Sequence, residues 1–222
     1  MQRKRSALET PRAAGLAGVG FALLLTAAIV LVRLGMPQGA AAITAQGFTN
    51  SARRGALERA LALVPFAGIF FLWFMGSIRA HVGAAEDRFL ATVFLGSGLV
   101  FTATMFGAAA AAGAVLSVAH PAGTAPAPAS WDFGRHFAYT MLVGYAMRMA
   151  AVFVSVVSVI GQRLGVLPRP ITVLGGLTAL TLLFVSDNVP WSELVFPAWS
   201  LVLSGHILLA GAGSRSPAAP RA

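Results

Sequence analysis

The chain has 222 residues, of which 57% are hydrophobic and 10% charged, with a net charge of +9. Soluble domains carry roughly 25% charged residues, so an ordinary soluble domain is excluded, and a mean hydropathy of +0.79 agrees. The chain has no cysteine, which removes disulfides, thiolate catalysis, iron–sulfur clusters and cysteine zinc sites.

A membrane-crossing helix needs roughly 20 mostly apolar residues. Six segments qualify or come close: 14–32, 60–78, 89–118, 137–160, 171–185 and 191–212. The fold class expected is therefore all-α, a membrane bundle of six transmembrane helices. The first segment follows MQRKR, as in a signal peptide. Its apolar stretch exceeds the usual 7–15 residues or so, and it reads as a span. Residues 36–56 form a polar loop. Residues 51–63 also fit an amphipathic surface helix with Arg53, Arg54, Glu58 and Arg59 facing water. Pro65 predicts a kink in the second helix. The third segment is long enough to tilt or protrude. Residues 79–88 make a charged turn holding Glu86, Asp87 and Arg88. Residues 119–136 make a Pro/Ala-rich loop, with Asp132 capping the fourth helix beside Arg135 and His136. Residues 161–170 end in prolines that separate the fourth and fifth helices. The fifth helix is the shortest, and SDNVP (186–190) turns into the sixth. The organisation expected is a cytoplasmic segment 1–13, a six-helix transmembrane domain 14–212 and a disordered cytoplasmic tail 213–222.

Fifteen of the sixteen basic residues are arginine, and most stand at segment ends. There they act as topology signals rather than as a nucleic-acid footprint. With the N-terminus inside, ten fall on the inner side and five on the outer, so both termini are expected in the cytoplasm. Trp131, Phe133 and Trp191 are expected near the outer interface, and Trp73 and Phe74 near the inner one. Ala103, Gly107 and Ala111, and separately Gly175 and Ala179, make small-residue ladders suited to close helix packing.

Chemistry centres on Arg148, in the middle of VGYAMRMAAVFV. An arginine at mid-bilayer costs roughly 2.5–3.5 kcal/mol on insertion scales. Met141, Gly144, Tyr145, Arg148, Ser155 and Ser158 share one broad helix side, opposite Val143, Met147, Val154 and Val157. That polar side is expected to face the bundle interior. The acid well inside a predicted span is Glu193, on a sixth-helix stripe with Pro197, Ser200 and Ser204. An Arg148–Glu193 pair, direct or bridged, is the expected partnership. The candidate intramembrane polar site is thus Arg148, Glu193, Tyr145, Ser155, Ser200 and Ser204. It reads as a helix-register device, as the anchor of a polar or anionic ligand, or as part of an ion or proton path. His206 is a separate candidate. It is either a proton relay or a histidine bonded to a neighbouring backbone or serine group. No catalytic, metal or cofactor-binding residues are expected. The four histidines, His81, His120, His136 and His206, form no HxxxH pattern.

LGSGL (95–99) and His206 invite comparison with intramembrane serine proteases. Leu95 stands where their first glycine would be, and the second helix holds no polar oxyanion residues, so the comparison fails. The segments VPFAGIFFLWFMGSIR, EDRFLATVFLGSGLVF, YAMRMAAVFV and SELVFPAWSLVLSG resemble those of a group of actinobacterial multi-pass membrane proteins of uncharacterised activity. The resemblance covers most of residues 60–208. It implies a bundle in the bacterial inner (plasma) membrane and carries over no substrate or site. The arginine-rich, Ala/Gly-rich composition also fits a GC-rich genome. The function expected is that of a non-enzymatic accessory or assembly protein. The alternative is a small transporter or ligand-binding protein with a polar midplane site around Arg148. Expected partners are the lipid bilayer and a partner membrane protein or second copy, with no nucleic acid.

Overall fold

A computed structural model of the protein describes residues 11–38, 43–82, 88–118 and 125–213. Most of the expected segments 1–13 and 213–222, most of the turn holding Glu86 and Asp87, and the start of the Pro/Ala-rich loop lie outside these residues. Among the described residues there are six helices: α1 (Pro11–Gly35), α2 (Ser51–Val82), α3 (Arg88–Val118), α4 (Pro128–Arg163), α5 (Arg169–Phe184) and α6 (Val195–Gly213). The all-α six-helix class stands. Five helices are long and apolar enough to cross a membrane, and α5 is a shorter apolar helix. Each helix packs on the next, and α6 closes the ring on α1.

Lipid tails are as apolar as leucine, so burial alone does not hold membrane helices together; packing does. The packing here centres on phenylalanines, one each from five helices. Phe71 (α2) lies 4.7 Å from Phe21 (α1), 4.9 Å from Phe101 (α3) and 5.1 Å from Phe153 (α4). Phe196 (α6) lies 5.2 Å from Phe101. All five are fully buried. Their tilted and edge-on geometries suit the ring quadrupole. α5 adds no ring and packs on the outside, with Val173, Leu177, Leu180 and Phe184 exposed.

Local sequence explains the helix ends. Pro37 follows α1, where the Met36 N–H closes on the Val32 carbonyl. α2 begins at Ser51 rather than near residue 60, because the Asn50 side chain accepts the Ala52 N–H at 2.9 Å. The separate surface helix is therefore the first part of α2, in which Arg54 is buried. α4 begins at Pro128, a residue preorganised for a first turn. Asp132 consequently lies inside the helix and does not cap it. Gly165, at φ +66°, allows the reversal into α5.

Trp131 is buried, its ring tilted 4.7 Å from that of Phe48, with its indole N–H on the Ile43 carbonyl at 3.1 Å. Phe74 is also buried, while Phe133 and Trp73 are exposed. The α3 ladder is displaced: Ala103 is exposed, and the small residues buried there are Ala108, Ala111 and Ala112. The α5 ladder holds, with Gly175 and Ala179 both buried.

Adjacent glycines in α5 test this packing. A methyl group on Gly175 would run into Ser158 Oγ and lie 3.1 Å from Trp199 Nε1, while one on Gly176 meets nothing. Gly175→Ala is expected to destabilise by about 1–3 kcal/mol through overpacking. Gly176→Ala is expected to be neutral or to stabilise by up to about 1 kcal/mol. Thermal unfolding in detergent reads both.

Candidate functional site

The short helix α5 creates the site. Its 16 residues span about 24 Å at a rise of about 1.5 Å per residue. The hydrocarbon core is roughly 30 Å thick. The α5–α6 turn, residues 185–191, therefore ends beside the middle of α4 instead of beside its start. A cavity of about 510 Å³ opens there. Arg33 and Gln38 from the end of α1 line it, with His136, Tyr139, Thr140, Gly144, Tyr145 and Arg148 from α4, and Ser186, Asp187 and Asn188 from the turn.

The α4 wall is unusual. Residues Thr140–Ala146 form a π-helix, a rare widened geometry that is frequent at functional sites. Thr140, Val143, Gly144 and Tyr145 all belong to it and all line the cavity. The backbone is also unusual across the gap, where Trp191 holds φ at 71°. For a bulky residue this is a strained conformation. It turns the chain so that the following 3₁₀ turn, Ser192–Leu194, points Glu193 inward.

Two ion pairs organise the charges, and neither is Arg148–Glu193. Glu193 is fully buried and receives Arg33 through Nε at 3.0 Å and through Nη2. Arg33 is 8% exposed and is further enclosed by the rings of Tyr139 and Trp191, at 5.3 and 5.9 Å. Its Nη1 donates to Gln38 at 3.4 Å. Tyr139 is fixed by its hydroxyl, which donates to the Met36 carbonyl at 2.6 Å. These bonds join the end of α1, the middle of α4 and the start of α6.

Arg148 pairs instead with Asp187 and also donates to the Gly144 carbonyl. This pair is half exposed, at 39% and 48%. The expected inward orientation of the Arg148 face holds only in part: Ser158 is buried, Arg148 is partly exposed and Tyr145 is exposed. Val143, Met147, Val154 and Val157 are the buried side of α4, and Tyr145 is exposed. The aliphatic side of α4 fills the space toward the phenylalanine cluster. The polar side near Arg148 can turn to the perimeter because α5 ends beside it, leaving a polar recess and an acid.

The six expected site residues are thus divided. Arg148 and Tyr145 line the cavity. Glu193 stands behind it, bound to Arg33. Ser155 bonds within its own helix, to the Ala151 carbonyl at 2.9 Å. Ser200 and Ser204 are buried on α6, where the Ser204 hydroxyl donates to the Ser200 carbonyl at 2.6 Å and a methyl group on Gly18 of α1 would strike it. His206 is half buried on the same helix. Arg33 and Asp187 were the unrecognised members. The signal for Arg33 lay in the topology, because the end of a first helix and the start of a sixth share one end of an up-and-down bundle. Among the described residues no three His, Asp or Glu side chains cluster as a metal site would require.

Fold and cavity together define a helical, multi-pass, membrane-embedded protein with a polar recess at one end. No protein family, curated protein or solved structure matches the chain.

The two pairs should respond differently to loss of a partner. Removing one partner of a buried pair costs about 3–5 kcal/mol, because a charge is left unpaired. An exposed pair is worth about 0–1 kcal/mol. Arg33→Met is therefore expected to lower the unfolding midpoint sharply, and Arg148→Met to leave it within about a degree or two of wild type. Equal losses would mean that the Arg148 pair is also a structural tie.

Proposed function

We propose that this protein is a membrane-embedded receptor or carrier for a small polar ligand, which enters the cavity between α4 and the α5–α6 turn and is held by Arg148. The cavity itself carries this reading. An accessory protein working only through its lipid-facing surface calls for a packed interior at Arg148. Here a half-exposed charged pair instead lines about 510 Å³ of space, within the roughly 300–1,000 Å³ typical of small-molecule sites. Intramembrane charge that is not needed for folding is best explained by function. The distribution of arginines favours cytoplasmic termini in a bacterial inner membrane, so the cavity opens to the outer side.

The natural absence of cysteine makes this directly testable. Single variants Thr140→Cys and Asn188→Cys place a thiol on the cavity wall, and Val173→Cys places one on the exposed apolar face of α5. Maleimide reacts with thiolate, which needs water. An impermeant maleimide added to intact cells is expected to label the first two and spare the third. Labelling only after permeabilisation would reverse the orientation. Failure to label the two cavity thiols under either condition would remove the water-filled cavity and the proposed function with it.

A further inference from the structure

The charges around the cavity come as a neutral set, and this constrains the ligand. Arg148 is balanced by Asp187, and Arg33 by Glu193 behind it. Arg33 is fully engaged, with Glu193, Gln38 and two aromatic rings around its guanidinium. It offers little to a ligand. Arg148 and Asp187 are different. Both are half exposed, both line the cavity, and their attraction is screened by solvent. A simple anion that took Arg148 would leave Asp187 stranded beside it. A ligand carrying both signs would replace the pair without leaving either charge alone.

Resting on the reading of the cavity as a ligand site, we propose that it binds a zwitterion, with an anionic group on Arg148 and an ammonium group on Asp187. The bond from Arg148 to the Gly144 carbonyl holds the guanidinium in place while its second nitrogen changes partner. Carboxylates and phosphates both suit that guanidinium, since charge-assisted bonds to it are the strong ones. The two charges of the ligand lie a few ångströms apart, as in a phosphoethanolamine head group or an amino acid.

The position of the pair adds a second constraint. Arg148 stands on α4 near exposed Tyr145 and lines the cavity with Ser186 and Asp187, which follow the exposed Leu180 and Phe184 of α5 in the chain. By helical rise it lies about 22 Å along α4 from Arg163, somewhat below the far surface of a roughly 30 Å core. A phospholipid standing against α5 has its chains along Leu177, Leu180 and Phe184 and its head group level with the cavity. A free zwitterion reaches the same two side chains from the aqueous mouth.

Full-length protein purified in detergent and stripped of lipid distinguishes these sources. Its unfolding midpoint is followed with dioleoyl phosphatidylethanolamine, dioleoyl phosphatidylglycerol and water-soluble glycerophosphoethanolamine. Phosphatidylethanolamine is expected to raise the midpoint progressively with concentration, as a ligand of the folded state does, and phosphatidylglycerol to bind about tenfold more weakly or not at all. Arg148→Met and Asp187→Asn are each expected to lose the shift while keeping a near-native midpoint without ligand. If glycerophosphoethanolamine reproduces the whole shift, the ligand is a soluble zwitterion; if only the lipid does, it comes from the bilayer. Equal stabilisation by phosphatidylglycerol, or a shift that survives Asp187→Asn, reduces the ligand to a plain anion. That overturns the proposal and leaves the polar-ligand reading standing. The absence of any shift also overturns it, and thiol labelling of the cavity then judges the wider reading separately.

Discussion

The buried pair between Arg33 and Glu193 is the constraint on which the rest of the cavity depends. A fully buried carboxylate is tolerated only with a partner, and here the partner comes from the far end of the chain. The pair joins the end of α1 to the start of α6 and thereby closes the helix ring. The rings of Tyr139 and Trp191 enclose the guanidinium, and Tyr139 is itself tied to Met36. The strained backbone at Trp191 persists because this surrounding network determines it.

Pairing Glu193 with Arg33 leaves Arg148 to another partner. Its acidic partner among the described residues is Asp187, on a turn brought to that level by the shortness of α5. Three irregular features thus meet in one place: a helix too short for the bilayer, a π-helical stretch in α4 and a left-handed tryptophan. Each is costly alone. Together they turn a packed bundle into one with a polar recess, and the phenylalanine cluster on the other side of α4 supplies the packing that tolerates them.

Much of the fold was legible because membrane helices are specified by length and apolar composition, which a sequence displays directly. Helix starts were less so. Residues 51–59 and 128–136 are too polar to resemble spans, yet Asn50 and Pro128 start helices there that run on into apolar segments. The site was legible only in part. Arg148, Tyr145 and Glu193 drew attention because charge and polarity within apolar runs are conspicuous. Their partners did not, because Arg33 and Asp187 stand at segment ends, where charges are ordinary. The assumption that a polar helix face points inward failed at the Tyr145–Arg148 level of α4, since it presumed a neighbour long enough to cover that face as α5 covers Ser158. Nothing in the spacing of α4 reveals that α5 stops short. The mismatch of about 10 Å by helical rise between the levels of Arg148 and Glu193 was the available sign that another partner had to be found.

The most direct test is whether Glu193 is energetically coupled to Arg33 and not to Arg148. Two double-mutant cycles in detergent, Arg33→Met with Glu193→Gln and Arg148→Met with Glu193→Gln, measure this by unfolding free energy. The account predicts a coupling of about 1–3 kcal/mol in the first cycle and additivity within about 0.5 kcal/mol in the second. Strong coupling in the second cycle and additivity in the first would contradict it, making Arg148 part of the framework rather than a residue free to hold a ligand.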